Sequence, residues 1–200
     1  MSRFSDLASL KDEIREVLSR KRIDIDNFRY LLEELVKARK TLIELILAEA
    51  HDYAEALGIN LIAAVFPYPL SKYLGQDPEI LRKYLREIHV MLYHKCPGAA
   101  CLNKEIYTLI HILSSIGFSA DQALEMAKYL TGIDLDVDEV NILLGQGLKT
   151  YWIEKLIDQN ARIYREKFVP IIWLDNETKG VARNIIRKYN YVDLFVPHNG

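Results

Sequence analysis

The sequence lacks the features that would place it in several large protein classes. No apolar run approaches the roughly 18 to 20 residues that a bilayer-crossing helix requires. The first residues, Met1-Ser2-Arg3-Phe4-Ser5-Asp6, do not have the basic-then-apolar form of a secretory signal. No membrane partner is therefore expected, and the default location is the cytoplasm. Only two cysteines occur in 200 residues, Cys96 and Cys101, too few for a framework of disulfides. No repeat of fixed period and no linker interrupts the chain, so residues 1–200 read as one domain. The phosphate-loop pattern G-x4-G-K-S/T, the dinucleotide pattern G-x-G-x-x-G and the hydrolase elbow G-x-S-x-G are all missing. The pair Gly145 and Gly147 has no expected strand before it that would make a phosphate cradle. An enzyme is not the first expectation, and no cofactor is implied.

Charge of one sign is also missing overall, because 26 Lys and Arg face 28 Asp and Glu. The charges are nevertheless segregated. Residues 1–40 hold ten Lys/Arg against eight acids, residues 41–145 hold seven against fourteen, and residues 146–200 hold nine against six. A nucleic-acid coat of uniformly basic surface is excluded, while a local basic face at either end is not. What is abundant is branched aliphatic side chain: 28 Leu, 22 Ile and 10 Val rule out a disordered chain and supply a packed core. Few Gln, three Met and many Ile, Glu, Lys and Arg lean towards a thermophile.

Apolar positions recur at three and four over most of the length, which predicts helix. Leu7, Leu10, Ile14, Val17 and Leu18 mark a helix over residues 5–20, and a second of about 30 residues should end near Leu57. Residues 59–66 read as a short buried helix before Pro67 and Pro69. Asp77-Pro78 opens a third long helix to about residue 93, since Asp caps free amides and Pro at the first position loses no bond. Ser119 with Gln122 reads as a capping box, Gly132 as a helix stop, and the acids at 134, 136, 138 and 139 as a solvated turn capping the next helix rather than a calcium loop. The fold expected is all-α: an irregular bundle of about seven to nine helices with a long N-terminal antiparallel pair. Strand is allowed only within residues 168–175 and 190–197.

His89, His94, Cys96 and Cys101 gather potential metal ligands, yet H-x4-H-x-C-x4-C is unlike the usual zinc knuckles, so no metal is expected. Cys96 and Cys101 are instead structural or a disulfide candidate. Residues 106–130 have the outline of a helix-turn-helix, but the second helix carries Asp121 and Glu125, which would repel phosphates. The stronger nucleic-acid candidate is C-terminal. Lys179, Arg183 and Arg187 recur every fourth residue and form one stripe, with Lys188, Arg162 and Arg165 nearby and Tyr189 and Tyr191 available to stack on bases. The competing reading of these cations is a solvated face neutralised by acids such as Asp175 and Glu177. The apolar tail 191–197 should dock on a groove of its own or a neighbouring subunit.

The turn Cys96-Pro97-Gly98-Ala99-Ala100-Cys101, the aliphatic helix after it and Ile116-Gly117-Phe118-Ser119-Ala120-Asp121 resemble the helical core of the archaeal and eukaryotic primase large subunit and of helix-bundle primase accessory domains. About residues 96–135 are covered. The large subunit binds an iron–sulfur cluster through four cysteines; with two, this chain does not carry that cluster over. Together these readings lead to the expectation of a non-catalytic nucleic-acid-binding accessory protein of a thermophilic replication, defence or mobile-element system, bound to single-stranded DNA or RNA. The alternative is a self-assembling virion coat or nucleocapsid subunit of a thermophilic archaeal virus.

Overall fold

The computed structural model describes residues 25–96, 100–189 and 191–196. The first described element is α1 (Ile25–Leu57), 33 residues long and so about 50 Å at 1.5 Å per residue. It ends at Gly58, whose φ of +67° only glycine adopts without strain. Then follow β1 (Ile62–Val65), a single turn α2 (Leu70–Tyr73), α3 (Pro78–Tyr84) and β2 (Glu87–Leu92). Four helices come next: α4 (Leu102–Ser115), α5 (Ala120–Thr131), α6 (Val137–Gln146) and α7 (Thr150–Tyr164). A 3-10 turn at Arg165–Lys167, β3 (Phe168–Trp173), α8 (Lys179–Tyr189) and β4 (Asp193–Phe195) complete the order.

The all-α expectation is overturned by a four-stranded parallel sheet in the order β1-β2-β3-β4, so the protein is mixed α/β. Two stretches assigned to helix are strands. Residues 59–66 were expected to be helical because they are almost uniformly apolar, but a short apolar run between Gly58 and Pro67 is equally the signature of a strand in a parallel sheet. Within the helix expected to reach residue 93, the spacing changes after Leu85 from helical to alternate. Ile88, Val90 and Leu92 are fully buried while Glu87, His89 and Met91 are only partly so, the period of two that strands follow. β3 and β4 fall where strand was allowed, and they are partners in the sheet rather than a minor addition. The first helix of the expected N-terminal antiparallel pair, residues 5–20, lies outside the described residues.

Register pairs Ala63 with Ile88, Ile88 with Phe168 and Ile172 with Leu194. The inward side chains Ile88, Val90, Leu92, Phe168 and Ile172 join one core with Leu81 from α3 and Leu85 just after it, Leu102 and Ile106 from α4, Ile153 and Ile157 from α7, and Val181 and Ile185 from α8. All three crossovers therefore bury their apolar sides in the same cluster. Strands in sequential order joined by crossovers of one hand place the connections on one face.

Three helix starts follow the sequence signals, whereas Asn103, expected to cap the helix after the cysteines, lies inside α4, which starts at Cys101 without a side-chain cap. Asp77 Oδ1 accepts from the amides of Glu79 and Ile80. Ser119 and Gln122 form a reciprocal capping box, as do Asp136 and Glu139, and Gly132 closes α5 in the left-handed conformation at φ +71°. Two buried side chains tie the helices to the ends of the strands. Asn160 on α7, fully buried, accepts from Tyr68 N and donates to Leu156 O, both at 2.8 Å. Tyr164, also fully buried, lies 3.2 Å from Ser71 Oγ, and burial pushes its phenol up to about 12. The segment after β1 is thus held against α7 at the carboxyl ends of the strands, where parallel sheets carry their crevices.

Candidate functional site

The six cations singled out in the C-terminal part occupy α7, the 3-10 turn and α8. Lys179, Arg183 and Arg187 are exposed along α8, opposite the buried Val181, Ala182 and Ile185. Helical spacing thus separates a basic side from a core side. Lys179 Nζ donates to Asn176 Oδ1 at 2.8 Å. Arg183 and Arg187 have no ion pair among the described residues. Asp175 and Glu177 do not neutralise the stripe. Asp175 Oδ1 accepts from the amides of Glu177 and Thr178 and from Thr178 Oγ1, which fixes the start of α8, and its Oδ2 faces His94.

Lys188 is differently placed. Its ammonium donates to Asp158 Oδ1 of α7 at 2.6 Å, and that bond holds the Asp158 carboxyl below the usual carboxylate range. Tyr189 OH donates to the same oxygen, and the Tyr189 ring packs edge-on against Phe168 with centroids 5.9 Å apart. Tyr189 is therefore a packing residue and not a free stacking platform, which corrects the sequence expectation; Tyr191 remains half exposed. The link through Asp158 brings α8 against α7, so exposed Arg162, one turn further along α7, adds a cation to the same neighbourhood. Arg165, exposed at φ +55°, follows at the end of α7.

Sequence reasoning missed a second constellation, on the sheet face opposite the core. Trp173 and Phe195 stack with centroids 5.1 Å apart and planes at 20°, and Tyr93 meets both, at 6.3 and 5.9 Å. These rings come from the ends of β3, β4 and β2. Beside them His89 is held between two carboxylates, Nδ1 at 2.6 Å from Asp193 Oδ2 and Nε2 at 3.0 Å from Glu87 Oε2. This bridge reaches across β3 and pins the short strand β4 to β2. The tail 191–196 thus docks on its own sheet, with Leu174 N donating to Phe195 O at 2.9 Å.

His94 follows β2 and is fully buried. Its Nε2 lies 3.0 Å from Asp175 Oδ2 and 3.9 Å from Glu177 Oε2, but neither ring nitrogen has an aligned hydrogen-bond partner. Burial pushes its pKa below the ordinary 6.5, more strongly than Asp175 and Glu177 pull it up. Cys96 and Cys101 are joined in a disulfide, which occupies both sulfurs, and the turn residues 97–99 lie outside the described residues. His89 and His94 belong to separate environments, and among the described residues no three His, Cys, Asp or Glu side chains are grouped to hold a metal ion.

The state of His94 has a measurable consequence. Because its folded pKa lies below 6.5, the unfolded chain takes up a proton on acidification that the folded chain resists, so stability falls as pH drops below 6.5 towards the folded value. The urea midpoint should fall between pH 7.5 and 5, and His94→Gln should lose less over the same interval than the parent protein. An equal fall in both would show that other groups carry the pH dependence.

A cavity of about 240 Å³ lies at the amino ends of the strands and includes His51, Lys83, Arg86 and Lys167. Two of these groups are engaged with the end of α3: Lys167 donates to the carbonyls of Arg82 and Leu85, and His51 Nδ1 lies 2.9 Å from Tyr84 O. Lys167 thus satisfies two carbonyls at the C-terminal end of α3, where a cation is favourable. Among the described residues no helix is long and apolar enough to cross a membrane. Compared with protein families, with curated proteins and with solved structures, the chain matches none.

Proposed function

We propose that the protein is a non-catalytic nucleic-acid-binding accessory protein of the cytoplasm, gripping the backbone of single-stranded DNA or RNA along α8. The observation that supports this most directly is the state of Arg183 and Arg187: both are exposed, spaced one turn apart, and without a carboxylate partner among the described residues. The acids that would cancel them are committed elsewhere, Asp175 to the start of α8 and to His94, Asp158 to Lys188. A line of unpaired guanidinium groups suits phosphate, which accepts two parallel hydrogen bonds from one Arg. Such contacts position a strand without reading its sequence.

The test is a salt series. Affinity for single-stranded oligonucleotides should fall as salt rises, and the double variant Arg183→Ala with Arg187→Ala should bind more weakly with a shallower dependence. Losing two phosphate contacts lowers the slope of log affinity against log salt by about 1.4 for a single strand. Lys188→Ala should change the slope less, because its ammonium is already paired. Identical affinity and slope in the parent and the double variant would sink the reading.

A further inference from the structure

Four parts of the chain converge on the cavity at the amino ends of the strands: the end of α1, the residues just before β1, the junction from α3 to β2, and the 3-10 turn before β3. The backbone carbonyls at the end of α3 are already bonded, to Lys167 and His51. What remains for a ligand is side-chain charge, and its balance is positive. Lys83 lies 3.5 Å from Glu44 and is spoken for. Arg86 and Lys167 have no carboxylate partner among the described residues. The one acid in the described lining is Glu55, 3.8 Å from His51 Nε2. Both cations are set in place by backbone bonds. Arg86 N donates to Leu61 O at 2.8 Å, and the two carbonyls that hold the Lys167 ammonium leave it a third proton to give.

We propose that this cavity binds a small phosphate monoester, its phosphoryl group between Arg86 and Lys167 and its organic part against Ile59 and Leu61. Two positive charges without a carboxylate match a group that carries about −1.5 to −2 at neutral pH. A carboxylate ligand would neutralise only one of them. Arg presents parallel N–H donors to two phosphoryl oxygens, and Lys supplies a point charge beside them. The volume of about 240 Å³ falls below the roughly 300 to 1,000 Å³ of sites that enclose drug-sized ligands, so the organic part is no larger than a sugar. Asn60 in the same lining carries an amide that both donates and accepts, as a sugar hydroxyl requires. No residue of α8 lines the cavity, and the inference is independent of nucleic-acid binding.

Calorimetric titration of the whole chain with ribose 5-phosphate, inorganic phosphate and uncharged ribose tests the proposal. Ribose 5-phosphate should bind once per chain and more tightly than inorganic phosphate, and ribose should give no heat of binding. Arg86→Ala should weaken the affinity about tenfold or more, because it removes charge-assisted hydrogen bonds to the phosphoryl group. The side chain is exposed, so helicity by circular dichroism should not change. Should Arg86→Ala lose its fold, Arg86→Gln repeats the comparison. Ribose 5-phosphate that fails to saturate the parent protein at millimolar concentration overturns the proposal, as does equal affinity in the parent and the Arg86 variant. Ribose or inorganic phosphate binding as tightly as the ester overturns it too. Binding that is kept in the Arg86 variant but lost in Arg183→Ala with Arg187→Ala would put the phosphate on α8 and overturn it equally.

Discussion

Replacing Gly147 with alanine is expected to remove about 3 kcal/mol or more of folding stability. Gly147 has φ +79° and ψ −166°, a region that side-chain-bearing residues scarcely enter. A methyl group there would sit 2.6 Å from His94 O and 2.7 Å from Lys95 Cβ. The backbone cannot simply move away, because the next amide, Leu148 N, donates to that same His94 carbonyl at 2.8 Å. This contact joins the α6–α7 connection to the end of β2, so strain at Gly147 is felt at the centre of the sheet. Gly145, in the last turn of α6, meets nothing within 4 Å. Gly145→Ala should leave stability unchanged or raise it by about 0.4 to 1 kcal/mol. Denaturant midpoints of the two variants check both outcomes, and equal midpoints would refute the argument from Gly147.

The second large effect is expected at Asn160. Asn160→Leu removes two hydrogen bonds and leaves the amide of Tyr68 without its acceptor, a loss of about 2 to 4 kcal/mol. Asn103 provides the comparison. It is equally buried, but its Nδ2 donates to Leu143 O at 2.9 Å while its Oδ1 has no partner. Asn103→Leu therefore loses one bond and removes one unsatisfied oxygen, and it should cost clearly less. Equal losses at the two positions would mean that shape rather than hydrogen bonding sets the cost.

The parts of the fold legible in the sequence are those decided within a few residues. The caps at Asp77, Ser119 and Asp136 depend on side chains reaching backbone amides two or three positions away, and the stop at Gly132 on a left-handed backbone that glycine adopts freely, so the residue types announce them. The basic side of α8 is legible for the same reason, since spacing by four is a property of the helix alone. The sheet is not local. A stretch such as residues 59–66 is apolar enough for either a buried helix or a buried strand, and partners 25 and more residues away decide between them. Residues 86–92 did carry the alternation, but it was masked by the helical spacing of Ile80, Leu81 and Leu85 just before it. The cluster of Tyr93, Trp173 and Phe195 and the Glu87–His89–Asp193 bridge could not be read at all. Strand register assembles the first from three separate parts of the chain and the second from two.

The pairing of β2 with β3 also sets the order in which the molecule can form. Ile88 and Phe168 are neighbours in the sheet but 80 residues apart along the chain, and the entropy of closing that loop must be spent before a single rung of the central ladder is gained. Of the intervening helices, α5 and α6 start from their own caps, and α4 touches both over short sequence distances, so they can shorten the gap before the strands meet. Folding is accordingly limited at the middle of the sheet. During translation β2 leaves the ribosome with one edge open until β3 has been made.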